Sequence, residues 1–411
     1  MQYSLANSSK LSDKNFSLSV TSSSTTPKPP ASVPKRIKSD PDESKFDFRT
    51  IQKKINDGDP AAIFFLGLCF YTGEQVPQDY AKAALYLGKA AALGNVDAMV
   101  IYGHCLHSGN GIQKNEKEAA KWFAAAAKQG NAVAQYELGI LYRDGVGVPR
   151  NHAESIKWLS CAAGQGDETA QLELGMTYLR GKVIPKNEKE AAKWFAAAAK
   201  QGNAEAQYEL GICYLQGEGV AKNESVATQW FAIAAKQGNT DAQVSLGWCY
   251  QDGIGVTKNL QEAVKLFSRA AEQGDADAQC ELGMCYFSGN GIAKNWIEAK
   301  KWFKKAAEQG DAEALYRYAR ACHWGYGGKV DLKEAKKWYR SAIAQGHQQA
   351  VQDLQYLINS NKQARLRVLK SVFCIFLLIG LIIAAFAVLP TVLAIIITIA
   401  LFSAIKSAKN E

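Results

Sequence analysis

The chain repeats itself with a period of 36 residues. Residues 114–139 read KNEKEAAKWFAAAAKQGNAVAQYELG, and residues 186–211 repeat them with one change, Glu205 in place of Val133. The two segments lie 72 residues apart. When the chain is aligned at half of that distance, seven successive segments share a glycine: Gly67, Gly103, Gly139, Gly175, Gly211, Gly247 and Gly283. The eighth segment has Ala319 at this place. Such a period indicates a solenoid, in which each unit buries its apolar face against its neighbours.

Each unit has the signals of two short helices. An Asn or Asp predicts the N-cap of the first helix, and an Ala follows three residues later. These caps are Asp59, Asn95, Asn131, Asp167, Asn203, Asn239, Asp275 and Asp311. A second Asn or Asp opens the second helix, and a Glu three residues on, as in Asn115 and Glu118, predicts a capping box. Glycines from Gly73 to Gly325 end the first helix in left-handed turns. Residues 59–346 are thus predicted to form eight helix-turn-helix units.

The repeat pattern resembles a known family. Its consensus A-x-A-x-x-x-L-G-x-x-Y-x-x-G-x-G-V, followed by A-x-x-W-F/Y-x-x-A-A-x-x-G-N, is similar to the Sel-one-like repeats, relatives of the tetratricopeptide repeats. The resemblance covers residues 59–346 and recurs in eight units. It implies an all-α, right-handed, curved solenoid that binds proteins or peptides, and it implies no reaction.

The segments outside the repeats differ in composition. Residues 1–45 hold twelve serines and five of the ten prolines, which predicts a disordered tail. Its PxxP at 27–30 and basic run at 34–38 could dock a partner, although a solvated tail is the simpler interpretation. Met1 is not followed by the apolar run that is typical of a secretory signal peptide, so the sequence does not predict one. Residues 46–58 and 347–370 are expected to be capping helices.

The formal net charge of +9 does not predict a nucleic-acid partner. Residues 1–45 carry seven Lys or Arg and four acids, and residues 362–411 carry six and one. The repeats between them are therefore nearly neutral and lack the basic stripe that phosphate binding needs.

The candidate chemical groups are sparse. Five cysteines occupy one place in the repeats without CxxC spacing, which is typical of small buried side chains in a reducing compartment: Cys69, Cys105, Cys213, Cys249 and Cys285. Two pairs, His104 with His107 and Cys322 with His323, supply too few ligands for zinc. A family branch reported to act on β-lactams has a second cysteine per repeat, which this chain lacks. We predict no metal, no cofactor and no enzymatic activity.

The resemblance implies that the first helices line a concave groove. The predicted protein-binding residues are Tyr136, Ile140, Arg143, Met176, Tyr208, Ile212, Trp248, Gln251, Tyr316, Arg320 and His323. Aromatic, aliphatic and a few polar side chains together suit a peptide ligand. The alternative is that these side chains pack between adjacent first helices. Repeat eight, which has Ala319 in place of the glycine, is either an end cap or a contact site.

Residues 371–405 contain no charged side chain. As one helix they would be about 50 Å long, against a bilayer core of about 30 Å. Because Leu389-Pro390 lies mid-segment, we predict a transmembrane hairpin, with a single kinked span as the alternative. Basic residues flank the segment on both sides: Lys362, Arg365, Arg367 and Lys370 before it, and Lys406 and Lys409 in the tail 406–411. A hairpin keeps both clusters and the repeats in the cytosol.

These features predict a membrane-anchored scaffold that gathers partner proteins. The bilobed apolar segment resembles those of inclusion-membrane proteins of intracellular bacteria, which implies an effector displayed at a host membrane. A quality-control or cell-envelope assembly factor is the alternative. A secreted hydrolase-like repeat enzyme is the third class.

Overall fold

The computed structural model describes residues 48–408, which form 18 helices and contain no β-strand. Each repeat consists of two helices of 13 residues. The first helices of the eight repeats are α2 (Pro60–Thr72), α4 (Val96–Ser108), α6 (Ala132–Asp144), α8 (Glu168–Arg180), α10 (Ala204–Gln216), α12 (Thr240–Asp252), α14 (Ala276–Ser288) and α16 (Ala312–Trp324). The second helices are α3 (Tyr80–Ala92), α5 (Glu116–Lys128), α7 (His152–Gly164), α9 (Glu188–Lys200), α11 (Glu224–Lys236), α13 (Leu260–Glu272), α15 (Trp296–Glu308) and α17 (Leu332–Ala344). The predicted all-α solenoid of tandem helix pairs is confirmed.

The chain divides into two compact units after Gln273. The N-terminal unit holds α1 (Phe48–Asn56) and repeats 1 to 6. The C-terminal unit holds repeats 7 and 8 and α18 (Gln348–Ala408). Helix α1 lies within the predicted capping segment 46–58. The predicted tail at 1–45, with its PxxP and basic run, lies outside the described residues.

Capping side chains begin each helix of the repeats as the sequence predicts. Asn203, for example, accepts a hydrogen bond from the backbone N–H of Ala206 at 2.9 Å. The capping box is only half formed. Asn115 accepts from the N–H of Glu118 at 3.0 Å, but the Glu118 carboxylate pairs with Lys121 at 2.8 Å. The N–H of Asn115 donates instead to the carbonyl of Leu106, so the reciprocal bond is not needed.

The repeating glycine of the first helix makes room for an aromatic ring of the second. A Cβ at Gly211 would lie 2.5 Å from Cε1 of Phe231, closer than two carbons can approach. Phe231 is completely buried. In repeats 2 and 4 to 7 a Phe ring of the second helix therefore packs directly onto the backbone of its partner helix, and in repeats 1 and 3 Leu87 and Leu159 take the place of that ring.

Neighbouring repeats are joined by a ladder of glutamine side chains. The amide of Gln237 donates to the side-chain oxygen of Gln207 at 2.7 Å. Gln207 in turn donates to the carbonyl of Ala199 in the preceding repeat at 3.1 Å. The same pairing, 30 residues apart within one repeat, recurs between Gln165 and Gln135, Gln201 and Gln171, Gln273 and Gln243, and Gln309 and Gln279. The bond to the preceding repeat recurs from Gln135 to Ala127, from Gln171 to Ala163 and from Gln243 to Ala235. Buried polar groups are thus satisfied at successive repeat junctions.

The predicted transmembrane hairpin is wrong, because α18 is one continuous helix. Residues 348–408 form one helix that continues through Leu389-Pro390, so the capping segment and the apolar segment are a single element. Proline removes one helical hydrogen bond, but a turn would free several backbone groups. Apart from Pro390, residues 384–396 contain none of the residues that favour a turn, such as Gly, Asn or Asp.

Candidate protein-binding face

Several predicted binding residues of the N-terminal unit are partly accessible. Tyr136, Ile140 and Arg143 on α6, Ile212 on α10 and Gln251 on α12 are each half-buried. Tyr136 and Ile140 pack with one side against the apolar cluster of repeats 3 and 4, and Ile212 packs against that of repeats 5 and 6. We call these five residues the first-helix face. Their exposed portions could contact a ligand.

Three other predicted binding residues of this unit are buried. Met176 is 7% exposed, Tyr208 is 3% exposed and Trp248 is 1% exposed. Tyr208 packs against Phe231 with ring centroids 5.8 Å apart. The indole N–H of Trp248 has no hydrogen-bond partner among the described residues. These side chains contribute to packing in the free protein, and their role in binding stays a prediction.

The predicted binding residues of repeat 8 contact α18. Tyr316 donates a hydrogen bond from its hydroxyl to Asp353 of α18 at 3.1 Å. The Arg320 guanidinium lies 3.8 Å from the same carboxylate. His323 stacks on Trp324 and lies 6.2 Å, centroid to centroid, from the ring of Tyr356 on α18. Helix α18 therefore caps repeat 8 through residues that the repeat pattern predicted to line a groove.

A row of carboxylates, which the sequence analysis did not single out, runs along the first helices. Glu137, Glu173 and Glu209 occupy the same place in three successive repeats. Glu173 is neutralised by Arg143, whose Nη1 lies 2.9 Å from its Oε2. Glu137 lies 3.7 Å from Nε2 of His104. The 36-residue spacing of these glutamates was the signal that could have revealed the row.

Burial disfavours the charged forms of both His104 and Glu137. Desolvation, with a smaller contribution from Asp167, raises the pKa of Glu137 to about 7. Desolvation also lowers the pKa of His104 to about 4, and the nearby His107 adds to this effect. Because the imidazole is neutral near physiological pH, this contact is not an ion pair despite its short distance.

Glu209 is the most deeply buried member of the row. It is 3% exposed, and its Oε1 has no hydrogen-bond partner within residues 48–408. Burial, as the largest cause, and the charges of Glu205 and Asp241 together raise the pKa of Glu209 to about 8, while Arg180 opposes them. A buried carboxyl group that is incompletely satisfied is destabilising in the free protein.

The cysteines and histidines form no recognisable reactive centre in the part of the chain that is described. No disulfide joins any of the nine cysteines. Burial raises the pKa of Cys105, Cys213, Cys249 and Cys285 to about 12, so these thiols are protonated and unreactive. Between residues 48 and 408, no three His, Cys, Asp or Glu side chains are grouped as metal ligands.

The apolar part of α18 exposes its side chains. Phe373 is 65% exposed and Phe376 is 68% exposed. The segment Gln348–Ile383 includes an apolar stretch that is long enough to cross a membrane. A second apolar stretch, Thr391–Leu401, follows on the same helix.

The repeats match one protein family along most of the chain. The family model of the Sel1 repeat matches eight consecutive segments: residues 60–95, 96–131, 132–167, 169–203, 204–239, 240–275, 276–311 and 312–347. The chain belongs to the Sel1 repeat family. Sel1 repeat proteins bind proteins in general and are mostly non-enzymatic, so this chain is suited to protein–protein interaction.

Two solved structures of bacterial Sel1 repeat proteins are similar to this chain. A protective antigen of uropathogenic Escherichia coli strains, which displays an SLR fold, is 32% identical with a TM-score of 0.70. That alignment covers 75% of this chain and 67% of the antigen. A Sel1 repeat protein of Oxalobacter formigenes is also 32% identical, with a TM-score of 0.60 over 75% of this chain and 89% of the relative. No curated protein sequence matches the chain.

Proposed function

We propose that this protein is a membrane-anchored scaffold whose first-helix face binds a protein or peptide. The observation that carries the proposal is the set of half-buried side chains on the first helices, set in eight complete repeats of a protein-binding family. Tyr136, Ile140 and Ile212 offer apolar surface, whereas Arg143 and Gln251 offer hydrogen bonds. Such a mixture provides affinity from apolar contacts and orientation from polar ones.

The exposed apolar surface of α18 supports the membrane anchor. An exposed patch of this size is unfavourable in water and is typical of a surface that meets lipid or another protein. The uncharged run at 371–405 exceeds the roughly 20 residues that a span needs. As one continuous helix it would cross once, with tilt or projecting ends absorbing the extra length.

The flanking charges support a cytosolic location for the repeats. Lys362, Arg365, Arg367 and Lys370 precede the apolar run, and basic residues favour the cytoplasmic side of a span. They outnumber Lys406 and Lys409 on the other side. Cysteines without disulfides in a reducing compartment fit the same orientation.

Proximity labelling with two matched variants tests the binding face. A biotin ligase fused to the full chain should label a reproducible set of proteins, and Ile212→Ala should reduce that set because it removes apolar contact area. Ile233→Ala is the control, since Ile233 lies in the same repeat but on α11 and is 43% exposed. Equal labelling by both variants would refute the proposed face, provided that both retain wild-type circular dichroism.

Membrane fractionation tests the anchor and its orientation. The full chain should resist alkaline extraction, whereas a chain ending at residue 370 should be released. With tags at both ends, protease added from the cytosolic side should remove the N-terminal tag and spare the C-terminal tag until detergent is added. Release of the full chain by alkali, or loss of both tags, would contradict a single span.

The effector role at a host membrane stays a prediction that rests on resemblance, as does the alternative of an assembly or quality-control factor. The solved relatives come from bacteria, which supports a bacterial setting for the family. Localisation of the tagged protein in infected cells separates the two, because only an effector leaves the bacterium.

A further inference from the structure

A basic cleft lies beside the start of the apolar run. It has a volume of about 680 Å³ and lies between the beginning of α17 and residues 358–369 of α18. Four cationic side chains line it: Lys333 and Lys336 from α17, and Lys362 and Arg365 from α18. The other lining residues are apolar or carry an uncharged amide. No carboxylate of the described residues lines the cleft, so its charge is positive only.

The four cations have no other partner among the described residues. Within the described part of the chain, none of their side chains forms a hydrogen bond or an ion pair. The adjacent carboxylates have other contacts, since Glu334 lies beside Lys337 and accepts from the indole of Trp338, while Asp331 caps α17. Four like charges around one cleft repel each other, and a bound anion would relieve that repulsion.

The apolar side of the cleft faces the membrane end of α18. Leu366 and Leu369 follow Lys362 and Arg365 by four residues each, which places them on the same face of the helix, one turn further along. They are 48% and 65% exposed. A ligand in the cleft would therefore meet charge first and apolar surface next, in the direction of the uncharged run.

The cleft lies at headgroup depth if the uncharged run spans a bilayer. Arg365 precedes Ser371, the first residue of that run, by six residues, or about 9 Å along a helix. The headgroup regions together add about 10–15 Å to a hydrocarbon core of about 30 Å. The cations would thus lie at or just beyond the level of the lipid phosphates.

We propose that this cleft binds the headgroup of an anionic phospholipid, with Lys333, Lys336, Lys362 and Arg365 around the phosphate and Leu366 and Leu369 against the glycerol backbone and the adjoining ends of the acyl chains. The proposal rests on the proposed membrane anchor. It goes further because two of its cations belong to repeat 8 rather than to the anchoring helix. A bound lipid would join the last repeat to the membrane surface.

Lipid retention by the full chain tests the proposal. The protein is purified in a neutral detergent and offered equal amounts of phosphatidylglycerol and phosphatidylcholine, and bound lipid is counted by native mass spectrometry. Phosphatidylglycerol should be retained preferentially. The double variant Lys333→Gln with Lys336→Gln should weaken the binding of phosphatidylglycerol about tenfold or more, since each lysine near an anionic headgroup contributes substantially to the free energy of binding.

A matched double variant controls for net charge. Lys117→Gln with Lys189→Gln removes the same charge from exposed lysines that occupy the place of Lys333 in repeats 2 and 4. It should leave lipid retention unchanged. If the Lys333 and Lys336 variant loses its helical signal, Lys362→Gln with Arg365→Gln serves instead and should weaken retention to a similar extent.

Three results would overturn the proposal. Equal retention of both lipids would show that the cleft does not select an anion. Displacement of phosphatidylglycerol by inorganic phosphate at equal concentration would show a general anion site without acyl contacts. Equal losses in the two double variants would show a non-specific charge effect. Failure of the membrane anchor would be detected separately, as release of the full chain from membranes by alkali without detergent.

Discussion

Replacing Glu209 with glutamine is expected to stabilise the protein at neutral and alkaline pH. The pKa of this carboxyl is about 8 in the folded chain against an ordinary value of 4.5. The folded state therefore holds a proton that the unfolded chain releases above about pH 4.5. Stability is lost as the pH rises from about 4.5 to about 8 and stays constant above that range. Glutamine has nearly the same shape and no charge, so it removes this loss.

The size of the effect follows from the two pKa values. Each pKa unit corresponds to about 1.4 kcal/mol. At about pH 7 the ordinary carboxyl is almost fully ionised and Glu209 is mostly protonated, so the burial of Glu209 costs roughly 3 kcal/mol, an upper bound if the repeat relaxes around it. The pKa on which this cost depends also includes the neighbouring charges, since Glu205, Asp241 and Glu218 raise it and Arg180 lowers it.

Urea unfolding of the full chain in a neutral detergent, followed by far-UV circular dichroism, measures this difference. The Glu209→Gln variant should exceed the wild type in stability at about pH 8 and approach it at about pH 5. The control is Glu168→Gln, because Glu168 is exposed on α8 of the preceding repeat. A variant that is no more stable than the wild type at about pH 8 would refute the reasoning, since it would mean that the buried carboxylate is well solvated or paired.

Three further predictions concern the repeats. Gly211→Ala should destabilise the protein by about 1–3 kcal/mol, because its methyl group would collide with Phe231. Gly164→Ala should be neutral or stabilising by up to about 1 kcal/mol, because its added Cβ meets nothing within 4 Å. Thermal melts of both variants measure the difference. Trp248→Ala should cost about 3–5 kcal/mol, since it empties a site that is 1% exposed, and a small loss in urea unfolding would show that the indole does not pack tightly. Residues 46–361 expressed alone should be soluble, monomeric and helical by light scattering and circular dichroism, and a strong strand signal or unfolding by a chelator would count against nearest-neighbour stacking.

The local signals of the repeat were predictable from the sequence because they depend on single residue types. A short polar side chain such as Asn or Asp is needed to cap a helix as Asn203 does, and a glycine at position 211 leaves room for the ring of Phe231. The recurrence of these signals every 36 residues then determined the all-α repeat fold.

The burial of candidate binding residues was not predictable in the same way. Tyr208 and Ile212 both lie on α10 and both have apolar character, yet Tyr208 is buried and Ile212 is half-buried. Their exposure depends on how the neighbouring first helices overlap, which a periodic pattern does not specify. The contacts of Tyr316 and Arg320 with Asp353 were missed for a similar reason, since they depend on where α18 docks.

The continuous path of α18 shows a different limit. The residue before a proline resists helical backbone for steric reasons, and in water the solvent satisfies the backbone groups that a break exposes. In an apolar segment the same break has no compensating partner. Leu389-Pro390 was therefore a weaker signal for a turn than the same pair would be in a polar loop.

The place that Glu209 occupies connects the stability of the repeats with their proposed function. The residues at this place in the eight repeats are Phe65, Ile101, Glu137, Glu173, Glu209, Ser245, Glu281 and Arg317. Since Ser245 is buried at the same place of the next repeat without any charge, the fold does not require a carboxylate there. Under the proposed function, a ligand that donates a hydrogen bond to Oε1 of Glu209 would satisfy this carboxyl and offset its cost in the free protein. Glu209→Gln should then act with opposite signs in two assays, raising the stability of the free protein and reducing the set of proteins labelled in cells.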